Sequence, residues 1–124
     1  MEIIAADEAP KAIGPYSQAI RLGNILYTSG QIGLDPATGN LVSGDFAAQA
    51  RRVFENLKAV LTAGGTGFNN VIKATVYVTD LANFAALNEI YASYFVDTKP
   101  ARSTVGVAQL PKGALVEIDM IAVV

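Results

Sequence analysis

"KPARSTVGVAQLPKGALVEIDMIAVV", residues 99–124, holds the two segments on which the fold turns. Residues 103–108 and 115–124 are rich in β-branched and other apolar side chains and read as strands. Leu110-Pro111-Lys112-Gly113 between them has turn chemistry, so a hairpin is expected. The last strand is apolar on both faces of a period-two pattern, through Ile118, Met120, Ile121, Ala122, Val123 and Val124. Such a strand calls for cover on both sides. Charges interrupt this apolar stretch: Arg102 at the head of the first segment, and Glu117 and Asp119 within the second. Charged groups are seldom buried without a partner or a task.

Upstream, residues 71–78 (VIKATVYV) read as a strand, and Asp80 is expected to cap a helix with Phe84, Leu87, Tyr91 and Tyr94 or Phe95 on one face. Asp45 is a plausible N-cap for apolar residues at Phe46, Ala50, Val53, Phe54, Leu57, Val60 and Leu61. Their period of 3.6 predicts an amphipathic helix ending at Gly64-Gly65. Residues 17–22 and 25–32 flank Gly23-Asn24 and predict a hairpin, residues 35–40 are turn-forming, and Glu2–Ala5 reads as a short first strand. The order ββ-α-β-α-ββ gives an α+β domain whose two helices can cover only one sheet face. Ile118, Met120 and Val123 then exceed what those helices can cover. A homo-oligomer joined through sheet faces is expected.

The composition narrows the function. With 124 residues, 52% hydrophobic and 16% charged, the chain is a single domain with a real core. A net charge of −2 and scattered basic residues leave no footprint for nucleic acid. The chain has no cysteine and no histidine, so thiolate chemistry and histidine-based acid–base or metal chemistry are excluded. Gly64-Gly65-Thr66-Gly67 follows a helix and reads as a cap, not a phosphate loop. No stretch approaches the ~20 apolar residues that span a bilayer, and "MEIIAADEAP" lacks the features of a signal peptide, so a cytoplasmic location is expected.

In the expected hairpin, the faces carrying Arg102 and Thr104 and carrying Glu117 and Asp119 coincide. Pairing Ala108 with Leu115 would set Gly106 opposite Glu117. Two readings stay open on spacing alone. One is a structural cross-strand ion pair. The other is a pocket in which the arginine grips an anion and the carboxylate acts as a base.

Four motifs, "AIGPYSQA" at 12–19, "TSGQIGLDPATG" at 28–39, "AAQARRVFENLKAVL" at 47–61 and "PARSTVGVAQLPKGALVEI" at 100–118, closely resemble those of the RidA (YjgF) family of enamine/imine deaminases. The resemblance implies a chorismate-mutase-like mixed sheet with two helices on one face, and a homotrimer forming a central barrel with clefts between subunits. It implies hydrolysis of 2-aminoacrylate, 2-iminopropanoate and 2-iminobutanoate to 2-keto acids and ammonia, without metal or cofactor. Arg102 would bind the substrate carboxylate, Glu117 would handle the attacking water, and Ser103-Thr104 would offer backbone groups. Tyr16, Ser29, Gly30 and Asn88 would line the cleft, although Ser29-Gly30 also reads as a bulge. The chain departs from the family's common pattern at Thr104, where cysteine is frequent, and at Gly106, where a larger polar residue is frequent. A non-catalytic cleft-binding regulator of 2-keto acids or similar anions is the alternative. RNA cleavage, also attached to the family, lacks a basic surface and a histidine here.

Overall fold

The computed structural model describes all 124 residues. Six strands form one mixed sheet: β1 (Glu2–Ile4), β2 (Ala19–Leu22), β3 (Ile25–Thr28), β4 (Val71–Val78), β5 (Ala101–Gly106) and β6 (Val116–Val123). They lie in the order β1-β2-β3-β6-β4-β5, and every pairing is antiparallel except β4–β5. Helices α1 (Phe46–Ala63) and α2 (Phe84–Tyr94) cover one face, which is the expected α+β architecture. Neither helix is long and apolar enough to cross a membrane.

The local signals for α1 are realised. The Asp45 side chain accepts from the Ala48 amide at 3.1 Å, and the chain leaves the helix through Gly65 at φ +86. Ala50, Val53, Phe54, Leu57, Val60 and Leu61 are fully buried. Asp80 instead caps a short 3₁₀ turn, Leu81–Asn83, through the Ala82 amide, and α2 begins one turn later.

The expected hairpin of the last two strands does not form. β4 lies between β5 and β6, pairing in parallel with β5 and antiparallel with β6. Strands joined by a helix can run parallel, and α2 carries the chain from β4 across to β5. The connection 107–115 then passes over the end of β4. Val107 donates to the Val78 carbonyl at 2.8 Å, and Thr79 donates to the Leu115 carbonyl at 3.3 Å. Pro111–Gly113 turns this connection with both Lys112 and Gly113 at positive φ. Gly106 therefore pairs with Val78 beneath Leu81, not opposite Glu117, whose partner is Tyr77.

β6 alternates strictly. Val116, Ile118, Met120 and Ala122 are buried under the helices within the single chain. The expectation that Ile118 and Met120 need a second subunit is thus corrected. The residues without cover are those one step out of phase. Cross-strand partners share a face, so Ile121 and Val123 join Tyr27 and Ile25, and beyond them Ile20, Leu22 and Ile3. Ile3 is 64% exposed, Leu22 60% and Tyr27 47%, an apolar area on the face opposite the helices.

Three buried amides hold the loops in place. Gln18 accepts from the Ala6 amide and donates to the Pro10 carbonyl at 2.7 Å. Gln49 accepts from the Leu115 amide at 2.9 Å. Asn56, fully buried, donates to the carbonyls of Ile32 and Leu34 at 3.2 and 2.9 Å. Asn56→Ala strips two buried carbonyls of their donor. With each unmet group costing about 1–3 kcal/mol, urea denaturation is expected to show a loss of roughly 2–6 kcal/mol.

Candidate functional site

Between Tyr27 and Gln31 one strand advances four residues while β6 advances three, from Ile121 back to Ile118. The extra residue makes a bulge at Ser29-Gly30, so the expected strand 25–32 is split. Gln31 and Ile118 exchange both backbone bonds, at 2.9 and 3.1 Å, and this pins Gly30 beside Glu117. A Cβ on residue 30 would lie 2.8 Å from the Glu117 carboxyl carbon and 3.0 Å from its Cγ. Only glycine lets the Glu117 side chain lie across this point.

Glu117 forms the floor of a cleft walled by Ile13, Tyr16, Ser29, Gly30 and Pro111, which continues toward Lys11 and Gln31. The Tyr16 phenol oxygen accepts from the Ile13 amide at 3.2 Å, fixing the loop that carries it. The Ser29 hydroxyl donates to the Ser17 carbonyl at 2.6 Å and keeps its acceptor lone pairs. Four of the expected site residues, Tyr16, Ser29, Gly30 and Glu117, thus meet in one place.

The others do not join them. Arg102 pairs with Ala74, whose side chain is in the core, so Arg102 is on the helix-covered face while Glu117 is on the open one. β5 is also two strands from β6, about 10 Å away at the usual spacing. The hairpin that would have put the two charges on one face is absent, and a cross-strand ion pair between them is excluded within the chain. Arg102 lies instead with its Cζ 4.8 Å from the Tyr91 ring centroid and 5.5 Å from that of Phe84. Asn88, half-buried, falls between these two residues on α2 at helical spacing, so it shares their face. Thr104 follows Arg102 onto the helix side, and its hydroxyl is buried without a hydrogen-bond partner. Ser103 faces the open side, where it accepts from Lys73 Nζ at 3.0 Å. The expected site residues thus fall into two separate groups, one around Glu117 and one around Arg102.

Burial pushes the Glu117 carboxyl above its ordinary pKa, and the charge of Asp119 two residues on adds to the rise, with no basic group opposing either effect. Burial also raises Asp119, against the lowering effects of a hydrogen bond from the Tyr77 hydroxyl at 3.2 Å and the charge of Lys73. Tyr77, Lys73 and the two rings beneath Arg102 are neighbours that sequence reasoning did not place near the site. Nothing in their spacing marks them beyond an ordinary strand and a helix stripe.

A raised carboxyl pKa means that the fold prefers the protonated form. Stability then falls as pH rises from the unfolded-state pKa through the folded one, and the full penalty is present above that window. Glu117→Gln removes the penalty. At pH 7 its melting temperature is expected to equal or exceed the parent's, with the difference vanishing at pH values below the ordinary carboxylate range. A fall of several degrees at pH 7 would mean that Glu117 is a stabilising partner after all.

Comparison with known proteins bears on what this cleft belongs to. Residues 6–124 match the family model described as Endoribonuclease L-PSP. A RutC family protein of Pyrococcus horikoshii is 54% identical over 98% of this chain and 96% of its own length. The mouse 2-iminobutanoate/2-iminopropanoate deaminase is 48% identical over 98% of this chain and 90% of its own length. The crystal structure of E. coli TdcF with bound serine superposes with a TM-score of 0.96 at 46% identity, covering 100% of this chain and 99% of that one. A match of this extent, on a fold and in a motif order that agree throughout, makes the chain a member of the RidA (YjgF) family.

Proposed function

We propose that this protein hydrolyses 2-imino acids, and the enamines that tautomerise to them, to 2-keto acids and ammonia. The observation that carries this reading is the Glu117 carboxylate, laid across Gly30 at the floor of a cleft, with its pKa raised and no cation of its own chain beside it. A carboxylate so placed is a better base than an ordinary one, because its pKa is closer to working pH. Two relatives add support. The mouse protein is named as a deaminase of these imines, and TdcF holds serine, whose carboxylate is the group an arginine clamp would take.

The reaction asks little else of the protein. Glu117 removes a proton from water as the water oxygen bonds to the iminium carbon, and the C=N electron pair moves to nitrogen. The protonated carboxyl returns that proton to the nitrogen. The C–N bond then breaks as the carbonyl forms, and the hydroxyl proton leaves with ammonia as ammonium. The bidentate guanidinium of Arg102 would hold the substrate carboxylate throughout. Since Arg102 and Glu117 face opposite ways in one chain, the reading takes them from two copies of a trimer packed through the apolar open face. Thr104 and Ser103, on the unpaired edge strand β5, would present backbone groups beside the imine.

The decisive assay adds the protein to a threonine dehydratase reaction and follows 2-ketobutyrate and ammonia. Faster release is expected from the parent. Arg102→Lys, which loses the planar two-point grip, is expected to lose most of that rate. Glu117→Gln is expected to fall by ~10²-fold or more while still binding 2-ketobutyrate. The rate should also decline as pH drops through the raised Glu117 pKa. Binding without any acceleration would favour the regulatory alternative, and a stable monomer at micromolar concentration would exclude a shared site.

A further inference from the structure

Within its own chain Arg102 is held by rings. Its Cζ stands 4.8 Å from the Tyr91 centroid and 5.5 Å from that of Phe84, both inside the ~6 Å range of a cation–π contact. The two rings are seven residues apart on α2, two turns on one face, so a single helix presents both to the same guanidinium. We infer that Tyr91, assisted by Phe84, is a positioning residue: its ring fixes the plane in which the Arg102 donors meet a carboxylate.

Tyr91 can do this because its own plane is fixed. It is 8% exposed and packs edge-on against Phe54 at 5.9 Å and tilted against Phe95 at 4.6 Å, both rings of the central core. Phe84, 42% exposed, forms the outer wall. β5 is an edge strand, so no further strand flanks Arg102 on its outer side. A long arginine side chain there would otherwise sample many rotamers, and ordering it would weigh against each binding event. Contact with the face of a ring leaves the in-plane N–H donors available for a two-point grip.

The Tyr91 hydroxyl has no part in the device. It is buried and lacks a hydrogen-bond partner, so no hydrogen bond from it holds Arg102. This separates positioning from a general structural role: Tyr91→Phe keeps the ring and should keep the function, whereas Tyr91→Leu keeps an apolar core residue and should not.

The identity of the bound anion rests on the imino-acid reading, but the stacking does not, and the experiment is divided accordingly. The full chain is labelled with ¹⁵N-arginine, and the Arg102 Nε–H signal is identified by its absence in Arg102→Lys. In the parent and in Tyr91→Phe this signal is expected to be shifted upfield by the rings and to report an ordered group. In Tyr91→Leu the upfield shift should vanish and the order parameter should fall into the flexible range, below about 0.6, with Phe84→Leu intermediate. In the dehydratase-coupled assay, Tyr91→Leu is expected to raise KM by roughly 3- to 30-fold with kcat within about twofold, as for a lost cation–π contact that served binding alone. If Tyr91→Leu fails to fold, the half-exposed Phe84→Leu gives the same readouts on a smaller scale. Unchanged Arg102 order and KM in these leucine variants, or a Tyr91→Phe protein as impaired as Tyr91→Leu, overturns the inference. A parent without activity on imines or affinity for 2-ketobutyrate sinks the proposed function instead, and the arginine signal alone then decides the positioning role.

Discussion

In β6, burying Val116, Ile118, Met120 and Ala122 beneath the helices commits Glu117 and Asp119, one residue out of phase, to the opposite face. The rest of the arrangement follows from that alternation. The apolar set ties β6 between β3 and β4 at the centre of the sheet, so it cannot slip by one residue without exchanging core for charge. The bulge in the neighbouring strand then adds the one residue that sets Gly30 under Glu117. A carboxylate that would otherwise point into solvent above a regular strand is instead laid along a glycine, half-removed from water.

The walls of the cleft are loops, and loops carry backbone groups that no sheet satisfies. Buried amides supply the missing partners. Gln18 ties down residues 6–10, Asn56 ties down Ile32 and Leu34, and Gln49 receives the amide of Leu115, two residues before Glu117. Gly33 packs so closely on Gln49 that an added Cβ would lie 2.9 Å from its carbonyl oxygen. Helix α1 is therefore both the core of the domain and the scaffold that fixes the cleft from behind. Its apolar positions pack the sheet, while two amides near the same stripe hold the loops.

What the sequence discloses divides along contact range. Helix α1, its Asp45 cap, the strand at 71–78 and the Gly23-Asn24 turn depend on neighbours within a few residues, and each is found where local pattern puts it. The misread hairpin shows the limit. Leu110-Pro111-Lys112-Gly113 does make a turn, but turn chemistry cannot tell a hairpin from a connection crossing the end of a third strand. The shared face of Arg102 and Glu117 rested on that hairpin and fell with it. Tyr16, Ser29 and Gly30 were joined to Glu117 by family resemblance, not by spacing, and the fold brings these four together. Phe84 and Tyr91 were legible only as a helix stripe, because an aromatic residue facing a core and one facing an arginine obey the same period.

The two carboxylates of the open face are met differently by their surroundings. Glu117 and Asp119 lie two residues apart on one strand; burial lifts both, and the charge of Asp119 lifts Glu117 further. Asp119 receives a hydroxyl from Tyr77 and the nearby charge of Lys73, the ordinary remedies for a half-buried carboxylate. Glu117 receives neither a cation nor a side-chain donor among the influences on its pKa, and the residue directly across from it is Tyr77, not a basic one. A lysine there would stabilise the ionised form and lower its pKa. It would also weaken the carboxylate as a base, since basicity falls with pKa. Under the hydrolytic reading, Arg102 of a second copy is engaged by the substrate carboxylate, and the lack of a cation within the chain leaves Glu117 the stronger base. The stability lost by leaving it unpaired is then the condition of its chemistry.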